Sequence, residues 1–195
     1  MKEILIHNME EAKQMRLQSI RDGLDAEKVR EQIDLYLRDQ YEELRKMDIR
    51  EAESTMISAI NYRDRHLYMS CQDFGLKVNA GDICFMDFGR SYIKEAGFQH
   101  FGLVISVSSG KILVVPMTSN ANTYRQAYDP ARNPGGKTNL YALPDIDGLY
   151  KKSVLFLNDA KFINSARVFE VKAHISTGGL LFQDICRRLR DEMQI

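Results

Sequence analysis

The chain has 195 residues, with 27 Lys and Arg balanced by 27 Asp and Glu, and 44% of it is hydrophobic. That composition suits one ordinary domain, or a small domain with an appendage, and excludes a mostly disordered chain. No apolar run approaches the roughly 18 residues that cross a bilayer, and Glu10 and Glu11 follow an apolar patch too short for a secretory signal, so a cytoplasmic protein is expected.

The neutral total hides an asymmetry. Residues 1–75 carry 12 basic and 16 acidic side chains, and residues 76–195 carry 15 and 11. Before Gly75 there is one glycine, Gly23, and no proline. This shift predicts a domain boundary near 68–80, with a helical region over 1–75 and a second domain over 76–195.

In the helical region, Ile6, Met9, Lys13 and Leu17 suggest a helix over 3–20. A stronger three-and-four spacing through Val29, Ile33, Leu37, Gln40 and Leu44 predicts a helix over 25–47. Asp48 with Glu51 reads as a capping pair opening a third helix, whose apolar positions are Ile49, Ala52, Met56, Ala59 and Ile60. These helices either dimerise or bind a partner, or they pack on the second domain as added core.

The second domain reads as short strands: 82–88, 101–108, 111–118, 153–157 and 167–175. Ser109-Gly110 joins two of them as a hairpin turn. Residues 119–139 are polar and read as a long loop. Leu180, Leu181, Ile185, Leu189 and Met193 fall on one face of a closing helix. Short strands with a terminal helix give an α+β class and a small barrel.

Several chemistries find no support. Cys71, Cys84 and Cys186 are too few and too scattered for a disulfide framework or a zinc site, and they fit a reducing compartment. The four histidines have no metal-ligand spacing, so no metal and no cofactor are expected. Residues 131–138 imitate a phosphate-binding loop but lack the preceding strand and following helix that such a loop requires. What remains is a cofactor-free constellation in which Glu95 and His100 precede one strand and Thr118, Ser119 and Asn120 end the next.

This order of residues resembles the PemK/MazF family of toxin endoribonucleases over about residues 79–195. The resemblance rests on Gly81-Asp82-Ile-Cys-Phe-Met-Asp-Phe88, on Glu95-x-Gly97-x-x-His100-x-x-Leu103-Val104-Ile105, and on Val115-Pro-Met-Thr118-Ser119. It continues through Gly148-Leu-Tyr-Lys-Lys-Ser153-Val154 and Lys161-x-Ile163-Asn164-x-x-Arg167-Val168. It implies an SH3-like barrel with a C-terminal helix, usually a homodimer, that cuts single-stranded RNA without metal and is held inactive by an antitoxin protein. The family's catalytic arginine position is occupied here by His100, and its threonine is kept as Thr118.

Such cleavage uses the ribose 2′-OH against its own phosphate and needs proton transfer and charge stabilisation. His100 is the expected acid or base, Thr118 the hydrogen-bond donor to phosphate, and Glu95 the residue that orients His100. Arg90, Tyr92 and Lys94 in one loop are expected to bind RNA, together with Ser119, Asn120, Arg125, Lys137 and Lys161. Tyr124, Tyr128 and Arg132 belong to the same basic and aromatic set. The competing expectation is a domain that binds RNA or protein without cutting.

Overall fold

The computed structural model describes Glu10, Lys13, Gln14 and residues 26–194. The helix expected over 3–20 therefore lies almost wholly outside the described residues. The chain divides into two compact units, Met1–Glu53 and Ser54–Ile195.

The first unit holds helix α1 (Ala26–Lys46). Strong helix formers fill it without Gly or Pro, and Glu27 at its start and Arg45 and Lys46 at its end match the helix dipole. Ile33, Tyr36, Leu37 and Tyr41 are exposed. Helix α2 (Ile49–Arg65) also begins in this unit. As the capping pair predicts, Asp48 Oδ1 accepts the N–H groups of Arg50 and Glu51, at 2.9 and 3.1 Å.

The buried face of α2 corrects the expectation. Ile49, Met56 and Ile60 point outward, at 87%, 49% and 49% exposure, while Thr55, Ser58 and Asn61 are buried. The reason lies in the second unit. There Asp87, 2% exposed, receives Ser58 Oγ at 2.6 Å, Asn61 Nδ2 at 3.2 Å and Gln99 Nε2 at 3.1 Å. A buried carboxylate must be given donors, and this requirement outranks the apolar stripe in choosing the inward face. Arg65 closes the same seam by donating to the carbonyls of Ala166 and Val168 at 3.2 and 2.8 Å, with its guanidinium over the Phe74 ring. The unit boundary after Glu53 thus precedes the change in composition near 68–80, because residues 54–65 are bonded to the strands.

The second unit is built on eight strands: β1 (Asp82–Asp87), β2 (Gln99–Ser108), β3 (Lys111–Thr118), β4 (Ala127–Tyr128), β5 (Lys137–Ala142), β6 (Val154–Phe156), β7 (Lys161–Asn164) and β8 (Val168–His174). Their order is β4-β5-β6-β3-β2-β1-β8, with β7 also beside β3. The sequence expectation contained no strand at β7, and it placed the short helix α3 (Ala121–Gln126) inside a long loop. Helix α4 (Leu180–Met193) ends the chain, and the fold is α+β.

The central strands bury both faces, which is why they read as nearly continuous apolar runs. Ile83, Leu103, Val115 and Met117 face one core, where Phe182, Ile185 and Leu189 of α4 pack on them. Cys84, Met86, Val104, Ile112 and Val114 face a second core, with Cys71 and Val168. The β2–β3 turn has positive φ at Ser109 (48°) and Gly110 (80°), the geometry that suits the twist of a two-residue hairpin. At Gly81, φ is +89° and an added Cβ would lie 2.2 Å from the Ile175 carbonyl oxygen, so glycine is required.

Candidate nucleic-acid interface

Strand pairing places five strand ends on one rim. Asp87 at the end of β1 pairs with Gln99 at the start of β2. Thr118 at the end of β3 pairs with Val154 at the start of β6, which also pairs with Ala142 at the end of β5. The loops on this rim are therefore 88–98, 119–126 and 143–153. They carry five cations, Arg90, Lys94, Arg125, Lys151 and Lys152, against the carboxylates Glu95, Asp145 and Asp147.

His100 and Thr118 belong to this rim. The β2–β3 pairing ends at Gly102 opposite Pro116, whose nitrogen has no hydrogen to donate. Beyond that pair the two strands take other partners, His100 pairing with Met86 of β1 and Thr118 with Val154 of β6. Alternation along the strands assigns both to the side that carries Val104 and Val114. His100 is exposed at the strand start, and Thr118 is half-buried. Thr118 Oγ1 accepts the Asn120 N–H at 3.2 Å. The hydroxyl hydrogen is left to donate to another acceptor. Nearby, a Cβ on Gly102 would come within 3.3 Å of the Phe88 ring and 2.6 Å of Val114 Cγ2, so the absence of a side chain there lets Phe88 close over the strands.

The remaining expected residues divide into groups. Arg90, Tyr92 and Lys94 are exposed on the 88–98 loop, with Tyr92 at 85%, and Lys94 has a left-handed φ of 77°. Glu95 is committed to its own turn, where Oε2 accepts the Tyr92 N–H at 3.2 Å. Asn120 caps α3, its Oδ1 accepting the N–H groups of Asn122 and Thr123 at 2.9 and 3.1 Å.

Lys161 forms a strut. Its Nζ lies 2.9 Å from Asp159 Oδ1 and 3.4 Å from the Ala96 carbonyl, while Asp159 Oδ2 accepts the Ala96 N–H at 2.6 Å. Lys137 begins β5, five residues before Ala142, and so stands about 16 Å along the strand from the rim. Tyr128 lies beneath the Arg188 guanidinium, 3.1 Å from its ring centroid.

Beside Thr118, a cavity of about 350 Å³ opens between the second and third rim loops, lined by Ser119, Ala121, Tyr124, Arg125, Lys151 and Lys152. Lys152 Nζ sits 5.5 Å from the Tyr124 ring centroid. Tyr124 rests on a small core of Ala127, Leu140, Ala142 and Val154, which fixes the ring. The expected Ser119 and Arg125 are here. Lys151 and Lys152 were not among the expected RNA-binding residues. The signal for them was a Lys-Lys pair just before a strand that pairs with the end of β3. Among the described residues, no cluster of three or more His, Cys, Asp or Glu side chains could hold a metal ion. None of the helices among the described residues is long and apolar enough to cross a membrane.

No protein-family model matches the chain, and a search of curated proteins finds no match. Among solved structures, it is similar to an endoribonuclease in complex with its cognate antitoxin from Mycobacterial species, at 10% identity over 61% of this chain and 97% of that one, TM-score 0.42. It is similar to the Mycobacterium tuberculosis toxin MazF-mt6 at 9% identity, over 58% of this chain and 97% of that one, TM-score 0.40. It is likewise similar to MazF from Deinococcus radiodurans, at 18% identity over 62% of this chain and 99% of that one, TM-score 0.46.

Proposed function

We propose that the chain is a toxin-like endoribonuclease that cuts single-stranded RNA by 2′-OH attack, as one half of a toxin–antitoxin pair. The observation that supports this reading most is the rim of strand ends that carries both His100 and Thr118, next to a cation-lined groove. In this reading His100 moves the proton of the 2′-OH or of the leaving 5′-oxygen, the role for which imidazole is suited near neutral pH. Thr118 donates its hydroxyl hydrogen to a phosphate oxygen as charge builds on it. The rim cations supply the fixed charge that an arginine at position 100 would have given. The two catalytic residues come from this chain alone, and an SH3-like homodimer remains part of the proposal.

The test is incubation of the purified full chain with single-stranded RNA in excess EDTA. Products ending in a 2′,3′-cyclic phosphate and a 5′-hydroxyl are expected. Intact RNA from pH 5 to pH 9 would overturn the reading. A second reading is a domain that binds RNA without cutting it, because position 100 holds a histidine in place of a permanently charged arginine. In that case the same incubation gives salt-sensitive binding and no product.

A further inference from the structure

We propose that the cavity formed by Ser119, Tyr124, Arg125, Lys151 and Lys152 is a nucleotide subsite. It seats the RNA residue next to the scissile phosphate, with its base on Tyr124 and its phosphate on the lysine pair. The inference rests on the nuclease reading for the identity of the neighbouring phosphate, but its chemistry is independent of cleavage.

Three observations point to a nucleotide. The space of about 350 Å³ is an open groove on the rim, which an RNA strand can enter from solvent. Its cations are Arg125, Lys151 and Lys152, and no carboxylate is among its lining residues. Its one aromatic ring, Tyr124, is anchored from behind by a core and already has an ammonium 5.5 Å from its centroid. An aromatic platform with adjoining cations is what single-stranded nucleic acid requires, because every base has a π-face and every residue a phosphate.

Position supplies the rest. Val154 follows Lys152 by two residues and pairs with Thr118, and Ser119 is the next residue of the chain. The cavity therefore begins about one strand spacing, roughly 4.8 Å, from the threonine strand, on the side away from β2 and His100. A strand of RNA crossing the rim would meet β2, then Thr118, then this cavity. An acidic peptide would satisfy the lysines but would have no use for the aromatic ring.

The experiment measures binding of a short 2′-O-methyl RNA, which lacks the nucleophile and cannot be cut, to the full chain and to the variants Tyr124→Leu and Lys151→Gln/Lys152→Gln. Both variants should bind at least ~10-fold more weakly with an unchanged melting temperature. The double lysine variant should flatten the plot of log affinity against log salt by about 1.4, the amount for two lost single-strand phosphate contacts. The Lys151→Arg/Lys152→Arg variant should restore binding. Unchanged affinity and slope in the first two variants would overturn the subsite, as would an oligoglutamate peptide that outcompetes the RNA and is indifferent to Tyr124→Leu. A wild-type chain that never cuts RNA but loses binding in these variants would remove the nuclease and keep the subsite. A chain that cuts RNA with the same KM in all variants would do the reverse.

Discussion

Ser58 Oγ donates a 2.6 Å hydrogen bond to Asp87 Oδ1, joining the middle of helix α2 to the last residue of strand β1. Gln99 Nε2 bonds both partners, at 2.9 Å to Ser58 Oγ and 3.1 Å to Asp87 Oδ1. Gln99 immediately precedes His100. The polar seam of the helix is thus continuous with the strand that carries the proposed acid or base.

Removing one member of this seam leaves a buried carboxylate short of a donor. Ser58→Ala should cost about 1.5–3 kcal/mol, the range for hydrogen bonds to charged groups. Urea unfolding with an unchanged m-value measures it. A chain starting at residue 76 lacks Ser58, Asn61 and Arg65 together, so it should aggregate or unfold instead of gaining nuclease activity. A well-folded, hyperactive 76–195 fragment would show that the helices only cover the site.

At the rim, Thr118→Val keeps the shape of the side chain and removes the donor. RNA cleavage should fall about 100-fold, the scale for a group that stabilises developing charge, with Thr118→Ser recovering most of it. His100→Ala should fall by a similar factor and flatten the pH–rate profile on the limb that the imidazole controls. Rates are read from single-turnover assays, which separate chemistry from product release.

Cys84 gives the fold an alkaline limit. Burial, with Asp82 and Cys71 adding to it, pushes its thiol up to about 12. Unfolded, a cysteine ionises near 8.5. The unfolded chain therefore releases this proton first, and stability present below about pH 8.5 declines as pH rises toward 12. Burial, reinforced by the bond to Asp184, also raises the Tyr141 phenol, so it acts in the same direction. Melting temperature should fall through this window, and Cys84→Ala should lessen the slope while lowering stability at neutral pH. A thiol reagent at pH 8 should leave Cys84 unlabelled until the chain unfolds.

Lys161 tests whether a basic residue on a short strand binds RNA or holds the loop. Lys161→Met removes the strut to Asp159 and Ala96. Proteolysis within 90–95 should accelerate several-fold. The salt slope of RNA binding should stay as in the parent chain. A slope reduced by about 0.7 would assign Lys161 to a phosphate instead.

The parts of the molecule set by local pattern were legible in the sequence. The Asp48 cap and the Ser109-Gly110 hairpin each follow from residues within a few positions of one another. Of the expected α4 face, Ile185 and Leu189 are buried and Leu181 partly so, whereas Leu180 and Met193 are exposed and Phe182 is buried instead. The strands read over 82–88, 101–108 and 111–118 were visible as apolar runs and match β1, β2 and β3 to within two residues. The inward face of α2 was not, because the partner that selects it, Asp87, lies 29 residues from Ser58. Strand β7 escaped because Lys161-Phe-Ile-Asn164 is too short to show alternation. Lys151 and Lys152 gain their place only from the pairing of Val154 with Thr118.

Helix α2 keeps its hydroxyls and amides for its own strands and turns its methyls to the solvent. Its two sides can consequently mutate under separate pressures. Changes at Ile57 or Ile60 tune solubility or association while leaving folding intact, whereas a methyl in place of the Ser58 hydroxymethyl group is felt first as lower stability.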